Sequence, residues 1–230
     1  MKFYPIEANT APDFSNSTLL LPSCGQSNCD QMCIDILCFT FGSLTGRLLS
    51  DNLGFVCSPN PYTSGEGPIS TSIDVYTATL PSVGKSVLLR VSANLPEQKR
   101  KLLNYTEEIL EFAIHHHIKE IILVRSIPSI FCVDSQIKDW PFTIRGYGNV
   151  INSLGIKKIE EYSETQEILS NTVFGELFEC FKKKIKDKDK FSAVFMFFQQ
   201  EIVMECAKQL SQVICGSKDV KIPPSWEKLV

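Results

Sequence analysis

The sequence predicts a single α/β domain, in which flanking helices surround a mostly parallel central sheet. Two patterns indicate this fold. The apolar run Leu19–Leu21, closed by Pro22, is typical of a strand that is buried on both faces. Later in the chain, a long amphipathic helix leads directly into the β-branched run Ile121–Val124, as in the strand-helix-strand units of parallel sheets.

The composition favours one soluble, intracellular domain. The 230 residues are 43% hydrophobic and 21% charged, which is enough for one sizeable core but short for two independent domains. We expect residues 1–17 to be a leading segment and residues 216–230 an extended tail. The formal net charge of -3 provides no field that would gather phosphates, so a nucleic-acid partner is not expected.

Cysteine usage and hydropathy predict the compartment. The nine cysteines are odd in number, lie mostly in apolar or helical stretches and follow no secretory leader, which favours a reducing compartment. The longest apolar run, Ala193–Phe198, is far shorter than the roughly 20 residues of a membrane helix. We therefore expect a cytoplasmic protein, with the nucleus as a further location and no membrane partner.

The first helix is expected to follow the Leu19–Leu21 strand after a tight loop. It should begin at Asn28, whose side chain can form a capping box with Gln31, and end at Gly42 in the left-handed conformation. An irregular strand is expected next, within Leu44–Cys57, and then a loop, Ser58–Pro68. A β-hairpin follows, with Ile73–Leu80 and Ser86–Ser92 as its strands.

The last third of the chain is predicted to be helical. Before it come the helix Glu97–His117, the strand Glu120–Ser126 and the long loop-like stretch Ser126–Asn149. Two helices, Glu164–Ile185 and Phe191–Ile214, are then expected to cover one face of the sheet. An exposed charged turn, Lys182–Lys190, separates them, and an irregular tail, Lys218–Val230, follows.

Three groups of residues are candidates for chemistry, and each has a structural alternative. The loop Pro22–Ser27 precedes a helix and could bind an anion, but it has neither dinucleotide nor P-loop glycines. Four cysteines could bind zinc or act as nucleophiles, although packing of a helix against a sheet is the simpler interpretation. They are Cys24, Cys29, Cys33 and Cys38. The three consecutive histidines His115–His117 suit a helix C-terminus electrostatically, and the case for an enzyme is weak.

Six stretches, in order along the chain, resemble the proteasome assembly chaperone 2 family. They are Leu19-Leu20-Leu21-Pro22-Ser23 with Asp35-Ile36-Leu37; Asn60-Pro61-Tyr62 with Glu66-Gly67; Leu88-Leu89-Arg90; Ile121 to Ser126; Pro141-Phe142; and Lys221-Ile222-Pro223-Pro224-Ser225-Trp226. The correspondence runs from about residue 14 to residue 229 and therefore covers nearly the whole chain.

The resemblance implies an α/β fold similar to that of nucleoside phosphorylases, without their catalytic residues and without a cofactor. It implies a heterodimer with proteasome assembly chaperone 1 that binds α subunits of the 20S proteasome, promotes α-ring formation and prevents off-pathway dimerisation of the ring. The alternative is a phosphorylase-like or hydrolase-like enzyme acting on a small nucleoside, for which the strand-loop-helix opening and the fold analogy are the only support.

Eight residues are predicted to bind the protein partner. They are Asn60, Pro61, Tyr62, Pro141, Phe142, Pro223, Trp226 and Val230. Trp226, which follows the two prolines of the tail, offers large apolar area to a partner, and the alternative is that Trp226 packs back on the sheet. The chain ends in Lys228-Leu229-Val230, whereas some members of the two chaperone families end in a hydrophobic residue, a tyrosine and any residue. We therefore expect the partner chaperone to supply tail insertion.

Overall fold

A mixed sheet of nine strands forms the centre of the part of the chain that the structure describes. The computed structural model describes residues 1–7, 12–24, 28–62, 68–131, 141–159, 173–187 and 190–227. The strands of this sheet are β1 (Lys2–Pro5), β2 (Thr18–Pro22), β3 (Ser43–Leu49), β6 (Ile73–Leu80), β7 (Gly84–Val91), β8 (Glu120–Pro128), β9 (Phe142–Tyr147), β10 (Lys157–Lys158) and β11 (Phe191–Phe198). A separate ladder joins β4 (Cys57–Ser58) to β5 (Ser70–Thr71).

Six α-helices occur among the described residues. They are α1 (Cys29–Phe41), α2 (Lys99–His115), α3 (Val150–Leu154), α4 (Val173–Lys184), α5 (Val203–Cys215) and the single turn α6 (Pro224–Glu227). None of them combines the length with the apolar composition that a membrane-crossing helix would need.

The strand order is β1-β3-β6-β7-β2-β8-β11-β9-β10. Strands β7, β2, β8 and β11 are mutually parallel, whereas β1, β3 and β6 on one side and β9 on the other add antiparallel pairs. All five residues of β2 are buried, because this strand has a strand on each side and helices on both faces. The predicted α/β fold, with Leu19–Leu21 in mid-sheet, is confirmed.

Helices cover both faces of the sheet. On one face α1 packs against α5, through buried residues such as Leu37 and Leu210. On the other face α2 packs against α4, through residues such as Ile109 and Phe181. The expectation that the C-terminal helices share one face is wrong, because β11 runs through the sheet between α4 and α5.

The ends of α1 differ from the predicted caps. Asn28 is left-handed, with φ of 56°, and its side chain makes no capping hydrogen bond. Gln31 instead donates from Nε2 to the Val91 carbonyl at 3.2 Å, which ties α1 to β7. Gly42 is extended, with φ of -90° and ψ of 145°. A glycine is needed there because a Cβ would lie 2.6 Å from the Cys38 carbonyl oxygen.

The largest correction concerns Phe191–Phe198, which was predicted as the first part of a helix. These residues form β11, and all eight are buried; the α-helix begins only at Val203. Apart from Ser192, every residue of this run is apolar, so the run satisfies the helical spacing as well as the strand spacing and its period does not separate the two. Between β8 and β9, with helices on both faces, the run needs no polar side.

The predicted loop Ser126–Asn149 also contains regular structure. Strand β8 continues to Pro128, and Phe142–Tyr147 forms β9, which pairs antiparallel with β11. Residues 132–140 of this stretch lie outside the described part. The sequence concealed β9 because Pro141, Gly146 and Gly148 flank or interrupt it and read as turn signals.

Several other predicted elements are confirmed. Strands β6 and β7 form the hairpin, with Ile73 opposite Val91 and Leu80 opposite Gly84. The helix α2 and the start of β8 lie where the sequence placed them. The predicted helix Glu164–Ile185 corresponds to α4 from Val173 onward, and its first nine positions lie outside the described residues.

The histidines lie at the end of α2, where His116 joins an aromatic cluster. Its ring centroid lies 5.9 Å from that of Phe3, 5.1 Å from that of Phe14 and 4.6 Å from that of Phe112. Partial burial lowers the pKa of His116 below its ordinary value, and the neighbouring His115 and His117 lower it further. The cluster therefore favours the neutral ring.

We expect this histidine to contribute to loss of stability in acid. Because its pKa is lower in the folded than in the unfolded chain, the unfolded chain binds the proton first as the pH falls below about 6.5. The midpoint of thermal unfolding should then fall until the pH passes the folded pKa. His116→Phe should reduce this fall, and His115→Gln should keep most of it because burial is the larger cause. Equal pH profiles in all three proteins would contradict the expectation.

Candidate functional site

Side chains from distant parts of the chain converge on the carboxylate of Asp35. Asp35 lies on α1, Tyr62 follows β4, Arg90 lies near the end of β7 and Trp226 lies on α6. Each belongs to a stretch that carries the resemblance described above. Together with Asp74 on β6, these residues are called here the Asp35 cluster.

Three donors surround the Asp35 carboxylate. Arg90 Nε donates to Oδ1 at 2.8 Å, Tyr62 Oη donates to the same oxygen at 2.9 Å, and Trp226 Nε1 donates to Oδ2 at 3.2 Å. Asp35 is only 5% exposed. Because all three partners donate, the arrangement favours the ionised carboxylate, which only accepts hydrogen bonds.

Burial and charge act in opposite directions in this cluster. Burial raises the pKa of the Asp35 carboxyl, while Arg90, Tyr62 and Trp226 oppose that rise. For Arg90, burial disfavours the charged form, but the nearby Asp35, Tyr62 and Asp74 outweigh it and raise the pKa. Burial also raises the pKa of Tyr62, so its hydroxyl stays a donor. Asp35 and Arg90 therefore form a buried, hydrogen-bonded ion pair.

Arg90 joins this pair to a second buried carboxylate. Its Nη1 lies 3.4 Å from Asp74 Oδ2 and donates to Ser92 Oγ at 2.8 Å. Asp74 also accepts from the backbone N–H and the hydroxyl of Thr71, both at 3.0 Å. The hairpin register places Asp74 directly opposite Arg90, so the β6–β7 pairing itself brings the two charges together.

The Asn60-Pro61-Tyr62 stretch positions the tyrosine. Asn60 Oδ1 accepts the backbone N–H of Tyr62 at 2.8 Å, which is an Asx-turn with proline at its second position. The Tyr62 ring centroid lies 5.5 Å from that of Phe39 and 5.8 Å from that of Tyr76. The turn thus delivers the tyrosine hydroxyl to Asp35 and packs the ring against α1 and β6.

The tail returns to α1 through the same cluster. The backbone N–H of Lys221 donates to Thr40 Oγ1 at 2.9 Å. The buried Pro223 accepts the backbone N–H of Trp226 at 2.9 Å, and this turn aims the half-buried indole at Asp35. Trp226 therefore packs back on the domain, as the structural alternative predicted.

The predicted partner-binding residues fall into two separate regions. Tyr62 and Trp226 belong to the Asp35 cluster, and Asn60, Pro61 and Pro223 lie in the turns that position them. In contrast, Pro141 and Phe142 lie at the start of β9, four strands away from β7 in the sheet, which is roughly 20 Å at the usual strand spacing. Val230 lies outside the described residues. The partner-binding role of all eight stays a prediction.

Among the residues predicted from the sequence, Asp35 and Arg90 appear only as part of the resemblance, and Asp74 is not a predicted site residue. Two signals point to them. Asp35 interrupts an otherwise apolar face of a predicted helix, and a buried charge needs a partner. Asp74 and Arg90 lie at matching positions on the two strands of a predicted hairpin, so cross-strand pairing could have joined them.

A second buried polar group lies at the carboxyl ends of β2 and β8. Ser23 Oγ donates to Asp30 Oδ2 at 2.8 Å, and Ser126 Oγ lies 3.3 Å from Asp30 Oδ1. Beside them, burial lowers the pKa of Arg125 to about 10, and Asp30 acts against that shift. In open α/β sheets ligands bind at this edge. Here the two hydroxyls hold the Asp30 carboxylate within the start of α1.

The cysteines near this edge pack in the interior. Cys29, Cys33 and Cys38 lie in the core beneath α1, and Cys24 lies in the core on the other face. Burial raises the pKa of all four thiols, which disfavours the nucleophilic thiolate. In the described part of the chain, no group of three or more His, Cys, Asp or Glu side chains is placed to hold a metal ion.

Curated relatives connect these observations to a named group of proteins, although no protein-family model matches the chain. Proteasome assembly chaperone 2 of Mus musculus is 30% identical over 135 residues, which are 58% of this chain and 50% of the relative. The Homo sapiens protein of the same name is 28% identical over 163 residues, which are 66% of this chain and 60% of the relative. The chain spans about half the length of the curated relatives it matches.

Solved structures extend the likeness over the whole fold. PbaA of Pyrococcus furiosus, an archaeal homolog of proteasome-assembly chaperone, superposes with a TM-score of 0.58 at 13% identity, covering 99% of this chain and 92% of PbaA. PbaB of the same organism, an archaeal proteasome activator, gives 0.63 at 11% identity, covering 99% and 93%. At these identities the likeness concerns the fold alone. The predicted resemblance is thus confirmed: the chain is similar in sequence to proteasome assembly chaperone 2 and has the same fold as PbaA and PbaB.

Proposed function

We propose that this chain is a non-catalytic chaperone of 20S proteasome assembly. In this proposal it forms a heterodimer with proteasome assembly chaperone 1, binds α subunits, promotes α-ring formation and prevents off-pathway dimerisation of the ring. Its similarity to proteasome assembly chaperone 2 supports the general role. We place it in the cytoplasm, with the nucleus as a second compartment.

The Asp35 cluster is the observation that carries this proposal. Stretches that carry the predicted resemblance meet there, and their polar groups bind one another: the two Asp35 oxygens accept hydrogen bonds from Tyr62, Arg90 and Trp226. A catalytic acid or base must instead reach a substrate atom. These side chains therefore hold the tail, the Asn60-Pro61-Tyr62 turn and α1 together, and a binding protein needs such a defined shape.

An exposed apolar surface next to the cluster supports a protein partner. On the α1 side of β1 and β3, Tyr4 is 48% exposed and Leu49 is 40% exposed, and Ile69 beside them is 53% exposed. Arg47, opposite Tyr4 in the strand pairing, donates to the Ile69 carbonyl. We call these four residues the edge patch. Since Arg47 Nε also lies 4.0 Å from Asp74 Oδ1, the patch adjoins the Asp35 cluster.

A chaperone of this kind acts through differential affinity. It must bind the incomplete particle more tightly than the mature one, because a ligand with equal affinity for both states shifts no equilibrium. In our proposal the edge patch and the neighbouring Asn60-Pro61-Tyr62 turn meet the partner chaperone. When expressed alone, the chain should self-associate, since exposed apolar surface would lack its partner. A monodisperse monomer at high concentration would count against this.

Co-expression with proteasome assembly chaperone 1 tests the proposal. Affinity capture of the tagged chain, followed by size and mass analysis, should recover the partner chaperone and proteasome α subunits. The double variant Tyr4→Glu, Leu49→Glu should lose the partner. Ile130→Glu, which adds a charge at a side chain that is 73% exposed elsewhere on the fold, should retain it.

Two results would overturn the proposal. One is capture of neither the partner chaperone nor α subunits by the folded wild-type chain. The other is phosphate-dependent cleavage of a nucleoside by the purified chain, which would favour the phosphorylase-like alternative. If the partner is captured equally by the edge-patch variant, the chaperone role stands and the interface lies elsewhere.

A further inference from the structure

A cleft opens beside the amino-terminal ends of the parallel strands, whereas Arg90 lies near their carboxyl-terminal ends. It has a volume of about 610 Å³ and lies between the C-terminal ends of α2 and α4, where β8 begins. Its apolar lining includes Leu110, Ala113, Ile118 and Ile121. Ile114, which also lines the cleft, is 74% exposed, so apolar surface continues from the cleft to the outside. A volume of this size is typical of binding sites.

Basic side chains surround the opening. Lys119, Lys184, Lys186 and Lys190 all line the cleft. Among the described lining residues, the acidic ones are Glu120, which accepts a hydrogen bond from the Ser192 hydroxyl, and Asp187, whose carboxylate lies 3.8 Å from Lys190 Nζ. A surplus of positive charge is thus concentrated here, on a chain whose formal net charge is -3.

Contacts within the domain explain the position of only some of these lysines. Lys184 lies in the last turn of α4, where a cation favours the helix dipole, and it pairs with Glu107. Lys119 and Lys186 lie outside the helices. Among the described residues, neither forms an ion pair within 4.0 Å. The positive charges of these two lysines line the same cleft and repel each other. An anionic ligand that contacts both would offset that repulsion.

We propose that this cleft binds a segment of a protein partner that carries acidic residues next to aliphatic ones. The lysines would contact the carboxylates, and the apolar floor would bury the aliphatic side chains. A nucleic acid fits less well, because the described lining offers no Phe, Tyr or Trp ring on which a base could stack. An inorganic anion would leave the apolar floor exposed. The inference does not depend on the chaperone role.

Fluorescence anisotropy with a short labelled peptide, in which glutamates flank two leucines, tests this inference on the full chain. Binding should weaken as salt is added. Lys119→Glu with Lys186→Glu should weaken it by about ten-fold or more, because attraction becomes repulsion. The matched control is Lys101→Glu with Lys157→Glu, which makes the same change of charge at exposed lysines away from the cleft; it should bind as the wild type does.

A second variant and second probes keep the result specific. Ile114→Asn should weaken peptide binding without changing the charge, and a peptide with glutamine in place of glutamate should bind poorly. Thermal unfolding of each variant verifies that it is folded. No binding by the wild type, equal loss in the control pair, or tighter binding of an oligonucleotide of equal charge would overturn the inference. Capture of the partner chaperone is measured separately and is unaffected by these outcomes.

Discussion

Replacing Asp35 by alanine will lower the free energy of unfolding by about 3–5 kcal/mol, the usual consequence of removing one member of a buried ion pair. The variant leaves the guanidinium of Arg90 beside a single remaining carboxylate, Asp74, at 3.4 Å. It also removes the acceptor of Tyr62 Oη and of Trp226 Nε1. Urea unfolding, followed by the near-ultraviolet signal of the aromatic residues, measures the loss.

Milder variants separate the contributions. Asp51→Ala removes an exposed carboxylate and should change stability by no more than about 0.5 kcal/mol. Trp226→Phe keeps most of the apolar area and should cost about 1 kcal/mol for its hydrogen bond. The double variant Asp35→Ala, Arg90→Met should be less unstable than the sum of its single variants, because each single variant already removes the interaction between Asp35 and Arg90. Strict additivity would show that the two residues act independently.

Replacing Phe195 by alanine will cost about 3–5 kcal/mol, as is usual for loss of a fully buried aromatic side chain. Phe195 is 0% exposed in mid-sheet, and its ring centroid lies 5.4 Å from that of Phe178 on α4. The cavity would open between the sheet and this helix, where neighbouring strands prevent collapse. Denaturant unfolding with an unchanged m-value measures the loss.

The control for this variant is Phe55→Ala. Phe55 is 73% exposed, so the same chemical change should alter stability by about 0.5 kcal/mol or less. Backbone amides of β11 should also be among the slowest to exchange with deuterium, because this strand is paired on both sides. Fast exchange there, or a small effect of Phe195→Ala, would contradict the strand assignment.

The sequence pattern of a segment was sufficient to predict its secondary structure where its apolar residues follow a single period. The helix α2 alternates apolar and charged residues at helical spacing, and the β6–β7 hairpin joins two β-rich runs across a turn, so both were predicted from their own residues. Pattern was insufficient for β11, where every residue except Ser192 is apolar, and for β9, where proline and glycine indicate a loop. In both cases the neighbouring strands decide the conformation, because only they supply hydrogen-bond partners for a central strand.

The candidate site, too, was only partly predictable from local sequence patterns. The residue types of the Asp35 cluster are visible in the sequence, and the hairpin register alone brings Asp74 opposite Arg90. The convergence of Asp35, Tyr62 and Trp226 is not visible, because these residues are separated by long stretches of chain and meet only after α1, the Asx-turn and the tail have packed on one face of the sheet.

By itself, the sequence determined that this protein is an α/β domain with a mid-sheet strand at Leu19–Leu21 and a resemblance to proteasome assembly chaperone 2. The tertiary structure alone decided that β11 is a strand, that the tail folds back onto α1 through Trp226, and that lysines gather around an apolar cleft. The physical reason is that spacing along the chain encodes which face of an element is apolar, whereas strand pairing and the burial of charge depend on residues that are remote in sequence.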